Sequence, residues 1–105
     1  MIGVVVQFQF GADMNAERLR EIAAGARDKF AGLPGLRSKA FSIDAERHLA
    51  LNFYVWDSAD AARAFFTTQR IEQVSHIYGV RPELRFVEIA ELVDNAAAGA
   101  LAPSS

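Results

Sequence analysis

Apolar and polar residues alternate from Ile2 to Phe10 at the start of the chain, and this period of two predicts a first β-strand. Its even-numbered residues are all apolar and share one face. After a turn at residues 11–15, apolar residues recur every three or four positions, which predicts an amphipathic helix. We expect Asp13 or Asn15 to cap its start, because a short side-chain oxygen satisfies backbone N–H groups there. The helix is expected to end near Ala31-Gly32.

Two further strand-like runs follow, roughly Leu36 to Ile43 and His48 to Trp56, and the polar residues Asp44 to Arg47 between them predict a hairpin. A four-residue turn fixes which positions pair, so Lys39 is predicted to lie opposite Asn52. One face of the hairpin is then polar and aromatic: Lys39, Phe41, Asn52, Tyr54 and Trp56. The other face is apolar in the second of the two strands: Leu49, Leu51, Phe53 and Val55.

The second half of the chain predicts two helical segments and a last strand. Ser58 can cap the first segment, and Thr67-Thr68 is expected to break or bend the helix because its helix propensity is low. Gly79 is expected to end the second segment. Residues Leu84 to Val93 alternate between apolar and polar types and predict strand 4.

The predicted order β-α-β-β-α-β is that of the ferredoxin-like sandwich, an α+β fold whose four-stranded antiparallel sheet carries both helices on one face. Residues 1–94 are expected to form this single domain, and residues 95–105 a low-complexity C-terminal tail. Removing water from a wholly apolar surface costs little free energy, so the apolar face of the hairpin is expected to pack against the helices. The polar and aromatic face would then be open, and we expect two copies of the chain to meet there.

Composition and charge exclude several kinds of partner. The chain has 105 residues, 11 basic and 13 acidic, with a formal charge of −2 and no basic stripe, so nucleic acid is not an expected partner. It has no cysteine and two isolated histidines, so no metal site is expected. The longest apolar runs are shorter than the ~20 residues that span a bilayer, and no secretion signal opens the sequence. We therefore expect a cytoplasmic protein that has no membrane partner.

Three segments carry a resemblance to a known family: PGLRSKAF, LNFYVWDSADAARAFF and YGVRPELRFVEIAELVD. They resemble the dimeric α+β barrel superfamily, in particular YdhR-type and antibiotic-biosynthesis mono-oxygenase-like proteins, and the resemblance covers most of residues 2–94. It implies a homodimer whose two sheets pack into a barrel, with a pocket in each subunit. It also implies an aromatic small-molecule substrate that reacts with oxygen without metal or flavin, so no cofactor is expected.

The resemblance also implies site residues. In quinone-forming relatives an asparagine, a tryptophan and a basic residue hold the substrate, and Asn52 and Trp56 lie four apart on one strand and share a face, as that arrangement needs. His76 joins them as a catalytic candidate because its ordinary pKa suits a general base, with Arg70 and Arg81 as other basic candidates. The residues expected to bind the substrate are Lys39, Tyr54, Phe65 and Tyr78.

Each of these residues also has a structural interpretation. Tyrosine and tryptophan are enriched between subunits, a strand lysine can extend to water, and His76 points away from the apolar stripe of its helix. In the relatives the pocket lies between sheet and helices, whereas the apolar pattern turns Asn52 and Trp56 the other way. Either the register slips, or this cluster lines the dimer interface.

Three hypotheses about function follow. The first is a cofactor-independent mono-oxygenase acting on an aromatic or quinol-like small molecule. The second is a non-redox cyclase or isomerase of the same fold. The third is a ligand-binding dimer without catalytic activity, for which a closed interior filled by side chains is expected.

Overall fold

The computed structural model of the chain describes residues 1–95. Within these residues the elements follow the order β1 (Ile2–Gln9), α1 (Ala16–Phe30), β2 (Leu36–Asp44), β3 (Leu49–Trp56), α2 (Ala59–Phe65), α3 (Thr68–Tyr78) and β4 (Glu83–Glu88). The four strands form one antiparallel sheet in the order β2-β3-β1-β4, and the helices cover one of its faces. The predicted ferredoxin-like α+β fold is confirmed.

The helices begin and end where the sequence signals predict. The side chains of Asn15 and Ser58 each accept a hydrogen bond from the backbone N–H three residues on, at 2.9 Å and 3.1 Å. Thr67 caps α3 in the same way, so the predicted break separates α2 from α3. Gly79 ends α3 in the left-handed conformation, with φ of 78°, which glycine adopts without a Cβ penalty.

The pairing of β1 with β3 decides which face of the hairpin meets the helices. Val4 lies opposite Tyr54 and Val6 opposite Asn52, so the apolar face of β1 and the polar and aromatic face of β3 lie on the same side of the sheet. The helices pack on that side, and Val4, Val6, Asn52 and Tyr54 are all buried. The expectation that the apolar stripe of β3 lies under the helices is therefore wrong, and so is the expectation that the polar and aromatic face is open.

A physical reason for this orientation lies in the polar atoms themselves. The Asn52 amide is satisfied inside the protein by a hydrogen bond to Tyr78, so its burial does not leave an unpaired polar group. The apolar stripe of β3 lies on the other face of the sheet, where Phe53 remains 38% exposed.

The hairpin turn lies one residue later than predicted, at residues 45–48. Asp44 stays in β2 opposite Leu49, and its carboxylate accepts a hydrogen bond from the backbone N–H of Arg47 at 3.1 Å. Lys39 consequently pairs with Tyr54 instead of Asn52. This shift of two residues in the pairing leaves Lys39 on the predicted face, because side chains alternate with a period of two.

Strand β4 is shorter than the predicted Leu84 to Val93. Its last residue, Glu88, pairs with Ile2 at the beginning of β1, so β1 offers no further strand residue with which the chain could pair. Of the predicted tail at residues 95–105, all but Asn95 lies outside the described residues. No helix within residues 1–95 is long and apolar enough to cross a membrane.

Candidate functional site

A cavity of about 160 Å³, here called the main cavity, lies between the sheet and the three helices. Seven aromatic rings line it: Phe8, Phe30, Phe41, Tyr54, Phe65, Phe66 and Tyr78. Its polar lining residues are Lys29, Lys39, Asn52, Arg70 and Gln73. A largely apolar cavity with a few convergent polar groups is the usual form of a small-molecule site.

Asn52 and Tyr78 form the polar centre of the main cavity. The Asn52 side-chain amide donates a hydrogen bond to the Tyr78 hydroxyl at 3.3 Å, and Asn52 is 4% exposed. The Tyr78 ring lies flat against Phe8, with centroids 3.8 Å apart and planes 8° apart. Burial raises the pKa of the Tyr78 hydroxyl, while the bond from Asn52 acts in the opposite direction. The phenol is therefore held in its neutral, hydrogen-bond-donating form at neutral pH.

Lys39 reaches the cavity from β2 and ends among three rings. Its Nζ lies 3.5 Å from the ring centroid of Phe30, 4.1 Å from that of Phe41 and 4.3 Å from that of Tyr54. The faces of these rings attract a cation, but the loss of water on burial lowers the pKa of the Lys39 amine from 10.5 to about 7. Lys39 therefore exists at neutral pH as a mixture of amine and ammonium.

Tyr54 and Arg70 complete the polar lining near Lys39. Burial raises the pKa of the Tyr54 hydroxyl well above its usual range, the nearby Tyr78 raises it further, and Arg70 opposes this. The Arg70 guanidinium lies 4.1 Å from the ring centroid of Phe65, a cation–π contact at the cavity wall. Arg70 itself is exposed.

A second cavity of about 160 Å³, here called the side cavity, adjoins the main cavity under α1. The two cavities share three lining residues, Phe41, Asn52 and Tyr78. The hydrogen bond between Asn52 and Tyr78 therefore lies where the two spaces meet.

Trp56 lies in the core beside the main cavity. It is 1% exposed, and its ring contacts Phe65 at 5.0 Å and stacks near Tyr54 at 6.0 Å between centroids. Gly35 lies against it, since a Cβ there would come within 3.9 Å of Cε3 of Trp56. Within residues 1–95 its indole Nε1 has no hydrogen-bond partner, and Trp56 is not among the residues that line the main cavity.

The structure brings most of the predicted site residues together. Asn52, predicted as catalytic, and the predicted substrate-binding residues Lys39, Tyr54, Phe65 and Tyr78 all line the main cavity. His76 lies exposed on α3 and is not among the lining residues of the described chain, and the same holds for Arg81. Among the basic candidates it is Arg70, together with Lys39, that reaches the site.

Several lining residues were missing from the predicted set, chiefly Phe30, Phe41 and Phe66. Phe41 was on the predicted polar and aromatic face, so its position followed from the alternation alone. Phe30 is the last residue of α1 and Phe66 follows the last residue of α2, and nothing in the local pattern distinguishes a core ring from one that borders a cavity. Among the described residues no group of three His, Cys, Asp or Glu side chains is placed to hold a metal ion.

This arrangement has three chemical capacities. Stacked rings can hold a planar aromatic ligand. The neutral form of Lys39 can accept a proton, because a pKa near the working pH suits a general base. The amide of Asn52 and the neutral phenols of Tyr54 and Tyr78 can donate hydrogen bonds to an oxygen on which negative charge develops.

The fold is shared with solved structures of antibiotic-biosynthesis mono-oxygenase-like proteins, so the predicted resemblance is confirmed at the level of the fold. A mono-oxygenase from Streptomyces coelicolor, solved with the ligand nanaomycin D, is similar with a TM-score of 0.67 and 19% identity over 88% of this chain and 89% of that one. A proposed antibiotic biosynthesis mono-oxygenase from Deinococcus radiodurans has a TM-score of 0.67 and 14% identity, over 90% and 97% of the two chains.

A third similar structure is SnoaB of Streptomyces nogalater, described as a cofactor-independent oxygenase, with a TM-score of 0.63 and 15% identity over 88% of this chain and 95% of that one. No protein-family model and no curated protein sequence matches the chain. At these identities the likeness establishes the fold.

Proposed function

We propose that the chain is a mono-oxygenase that needs neither metal nor flavin and oxidises an aromatic or quinol-like small molecule in the main cavity. The observation that carries the proposal is the aromatic lining with Lys39 and Asn52 placed in it. The descriptions of similar structures as mono-oxygenases, one of them cofactor-independent, support it.

The residues divide the chemistry as follows. Neutral Lys39 takes the proton of a substrate hydroxyl, and the electron-rich ring that results is the reductant for molecular oxygen. One oxygen atom of O2 replaces the hydrogen of a ring carbon and becomes a carbonyl oxygen, and the other leaves as water. The two hydrogens of that water come from the ring carbon and, by way of Lys39, from the substrate hydroxyl, and the substrate supplies all four electrons that reduce O2. Asn52 donates a hydrogen bond to the substrate oxygen as its negative charge grows.

The same chain is proposed to work as a homodimer. The sheet face away from the helices carries the apolar stripe of β3, on which Phe53 is 38% exposed, and apolar surface of this kind marks subunit contacts. This is the opposite face of β3 from the one that the sequence pattern suggested for the dimer.

Oxygen uptake with a panel of dihydroxynaphthalenes and anthrols tests the proposed activity. We expect uptake above the uncatalysed rate, and we expect Asn52→Ala to lower the rate constant of turnover about a hundredfold, because it removes a donor aimed at the developing oxyanion. Gln69→Ala, which changes an exposed amide on α3 outside the cavity, serves as the control and should leave the rate unchanged. Equal rates for Asn52→Ala and the native chain would contradict the assignment.

A non-redox cyclase or isomerase is the second candidate, favoured by the one observation that Lys39 can act as a base without oxygen. Product analysis in anaerobic and aerobic buffer separates the two. Turnover that is identical without oxygen identifies the second candidate, and turnover that stops identifies the first. A closed interior was the expectation for a non-catalytic dimer, and the main cavity is not of that form.

A further inference from the structure

The main cavity is positively charged although the chain as a whole is acidic. Three of its lining residues are cationic or basic, Lys29, Lys39 and Arg70, and no Asp or Glu is among the lining residues that the structure describes. The chain carries a formal charge of −2, so this concentration of basic groups is local. The ion pairs recorded within residues 1–95 join other arginines to surface aspartates and leave these three side chains out.

No carboxylate faces Lys39 from any packed element that the structure describes. A further pocket of about 270 Å³ adjoins Lys39 between the end of α1 and the beginning of β2. From these two elements, the charged groups that line this pocket or the main cavity are Arg27, Lys29 and Arg37, all basic. From β3 and α3 the facing groups are the Tyr54 hydroxyl and the Arg70 guanidinium. The measured contacts of the Lys39 amine are thus aromatic rings, the other charged groups that line the same pockets are basic, and an anion would be its first partner of opposite charge.

We propose that the main cavity selects aromatic ligands that carry a negative charge, an aryl carboxylate or a phenolate, and that Lys39 supplies the counter-charge by taking up a proton as the ligand binds. The inference rests on the proposed function in that it names the charge class of the substrate of that same site. It concerns binding, so it can be tested with compounds that are not oxidised.

Binding of an anionic ligand and protonation of Lys39 favour each other. An anion that leaves water for an aromatic cavity needs a partner charge close by. An anion within about 4–6 Å of an amine favours its protonated form, so the ligand raises the pKa of Lys39 as it binds. Ring faces around Nζ then stabilise the ammonium that is formed.

The source of the proton distinguishes the two ligand types. An aryl carboxylate is already ionised at neutral pH, so the proton for Lys39 comes from the buffer. A phenol brings its own proton, which passes to Lys39 where the amine is neutral and to the buffer where Lys39 is already protonated, so the buffer supplies none. Because Lys39 has a pKa of about 7 in the free protein, uptake with a carboxylate should be about 0.1 proton at pH 6 and about 0.9 at pH 8.

Isothermal titration calorimetry with 2-naphthoate, 2-naphthamide and 2-naphthol tests the proposal, in phosphate and in Tris, whose ionisation enthalpies differ. We expect 2-naphthoate to bind the native chain at least tenfold more tightly than the neutral amide at pH 7, with proton uptake that rises between pH 6 and pH 8. 2-Naphthol should instead release protons to the buffer, about 0.9 proton at pH 6 and about 0.1 at pH 8, because part of Lys39 is already protonated before it binds. An amide that binds as tightly as the acid, or uptake that does not change with pH, overturns the proposal.

Lys39→Met tests the residue, since methionine keeps an unbranched side chain among the rings and removes the amine. Its preference for acid over amide and its proton uptake should both disappear, whereas Arg18→Gln, which removes an exposed charge outside the cavity, should keep both. If Lys39→Met still binds 2-naphthoate more tightly than 2-naphthamide, Lys39 does not supply the counter-charge. Circular dichroism of each variant shows that it is folded.

A measurement on the native chain avoids any effect of substitution on folding. Lys29 and Lys39 are the only lysines in the sequence, so reductive methylation followed by mass spectrometry reads each separately. Bound 2-naphthoate should slow modification of Lys39 at least tenfold and that of exposed Lys29 much less, and equal protection of the two contradicts the proposal. If 2-naphthoate binds as predicted but no oxygen is consumed with any substrate, the proposed activity is wrong and this inference stands. If oxygen is consumed but the acid is not preferred over the amide, this inference is wrong and the proposed activity stands.

Discussion

Replacing Trp56 by alanine is expected to lower the free energy of unfolding by about 3–5 kcal/mol, the usual cost of removing a large aromatic side chain from a core. Trp56 is 1% exposed and packs against Tyr54, Phe65 and Phe66. Its loss would leave a cavity next to the rings that shape the main cavity. Urea denaturation measures the change, and Val93→Ala, at a side chain that is 82% exposed, is the control that should change little.

Trp56→Phe separates a packing role from a polar one. The indole Nε1 has no hydrogen-bond partner within residues 1–95, so phenylalanine removes an unsatisfied buried donor as well as part of a ring. These effects oppose each other, and we expect Trp56→Phe to cost only about 1–2 kcal/mol. A Trp56→Phe variant that is fully stable but inactive in the oxygen-uptake assay would show that the indole N–H acts in catalysis, which its position outside the lining of the main cavity does not suggest.

Replacing Lys39 by methionine is expected to stabilise the protein at neutral pH while it removes the basic group of the site. Burial lowers the pKa of the Lys39 amine from 10.5 to about 7, which means that the folded state resists its protonation. After allowance for the water that still reaches this half-buried side chain and for the loss of its ring contacts, we expect a gain on the order of 2 kcal/mol.

The pH dependence of that gain identifies its cause. Between pH 7 and about 10.5 the unfolded chain keeps the Lys39 proton and the folded chain does not, so the stability of the native chain rises with pH in this window. Lys39→Met lacks this rise, and its advantage should be largest below pH 7 and should shrink as the pH approaches 10.5. Denaturation curves at pH 6, 8 and 10 measure it. Lys29→Met is the matched control, and a gain for Lys39→Met that is independent of pH would contradict the explanation.

The sequence predicted the elements of the fold well because their signals are local. Caps at Asn15 and Ser58, the break at Thr67 and the stop at Gly79 each depend on a few neighbouring residues. The face of the hairpin on which Lys39 lies was also predictable, because alternation along a strand survives a change of pairing by two residues.

The orientation of β3 relative to β1 was not predictable in this way. These strands are far apart in the sequence, and a one-residue difference in their pairing exchanges Asn52, Tyr54 and Trp56 with the apolar stripe. Because removing water from an apolar surface costs little free energy, the sequence pattern favoured the apolar stripe for the interior. The interior instead contains a cavity, and an asparagine with an internal partner is stable there.

The residues of the candidate site could also be predicted only in part. Residues on β3 and β2 could be grouped because one strand or one hairpin places them together. His76 was chosen for the chemistry of its side chain, but its position on α3 leaves it exposed, while Arg70, six residues earlier, reaches the cavity. Which turn of a helix faces a cavity depends on how that helix packs, and a pattern of apolar residues records this only coarsely.

The four-residue turn at 45–48 also bears on which insertions and deletions the chain tolerates. β3 is held between β1 and β2, so one extra residue in the turn that is absorbed by sliding β2 would move each β2 side chain to the opposite face. Lys39 and Phe41 would leave the cavity and their neighbours Ala40 and Ser42 would enter it. A change of length at the tip of the hairpin could thus remove the site's basic group with every site residue intact, whereas a change of two residues would keep Lys39 and Phe41 on their present face.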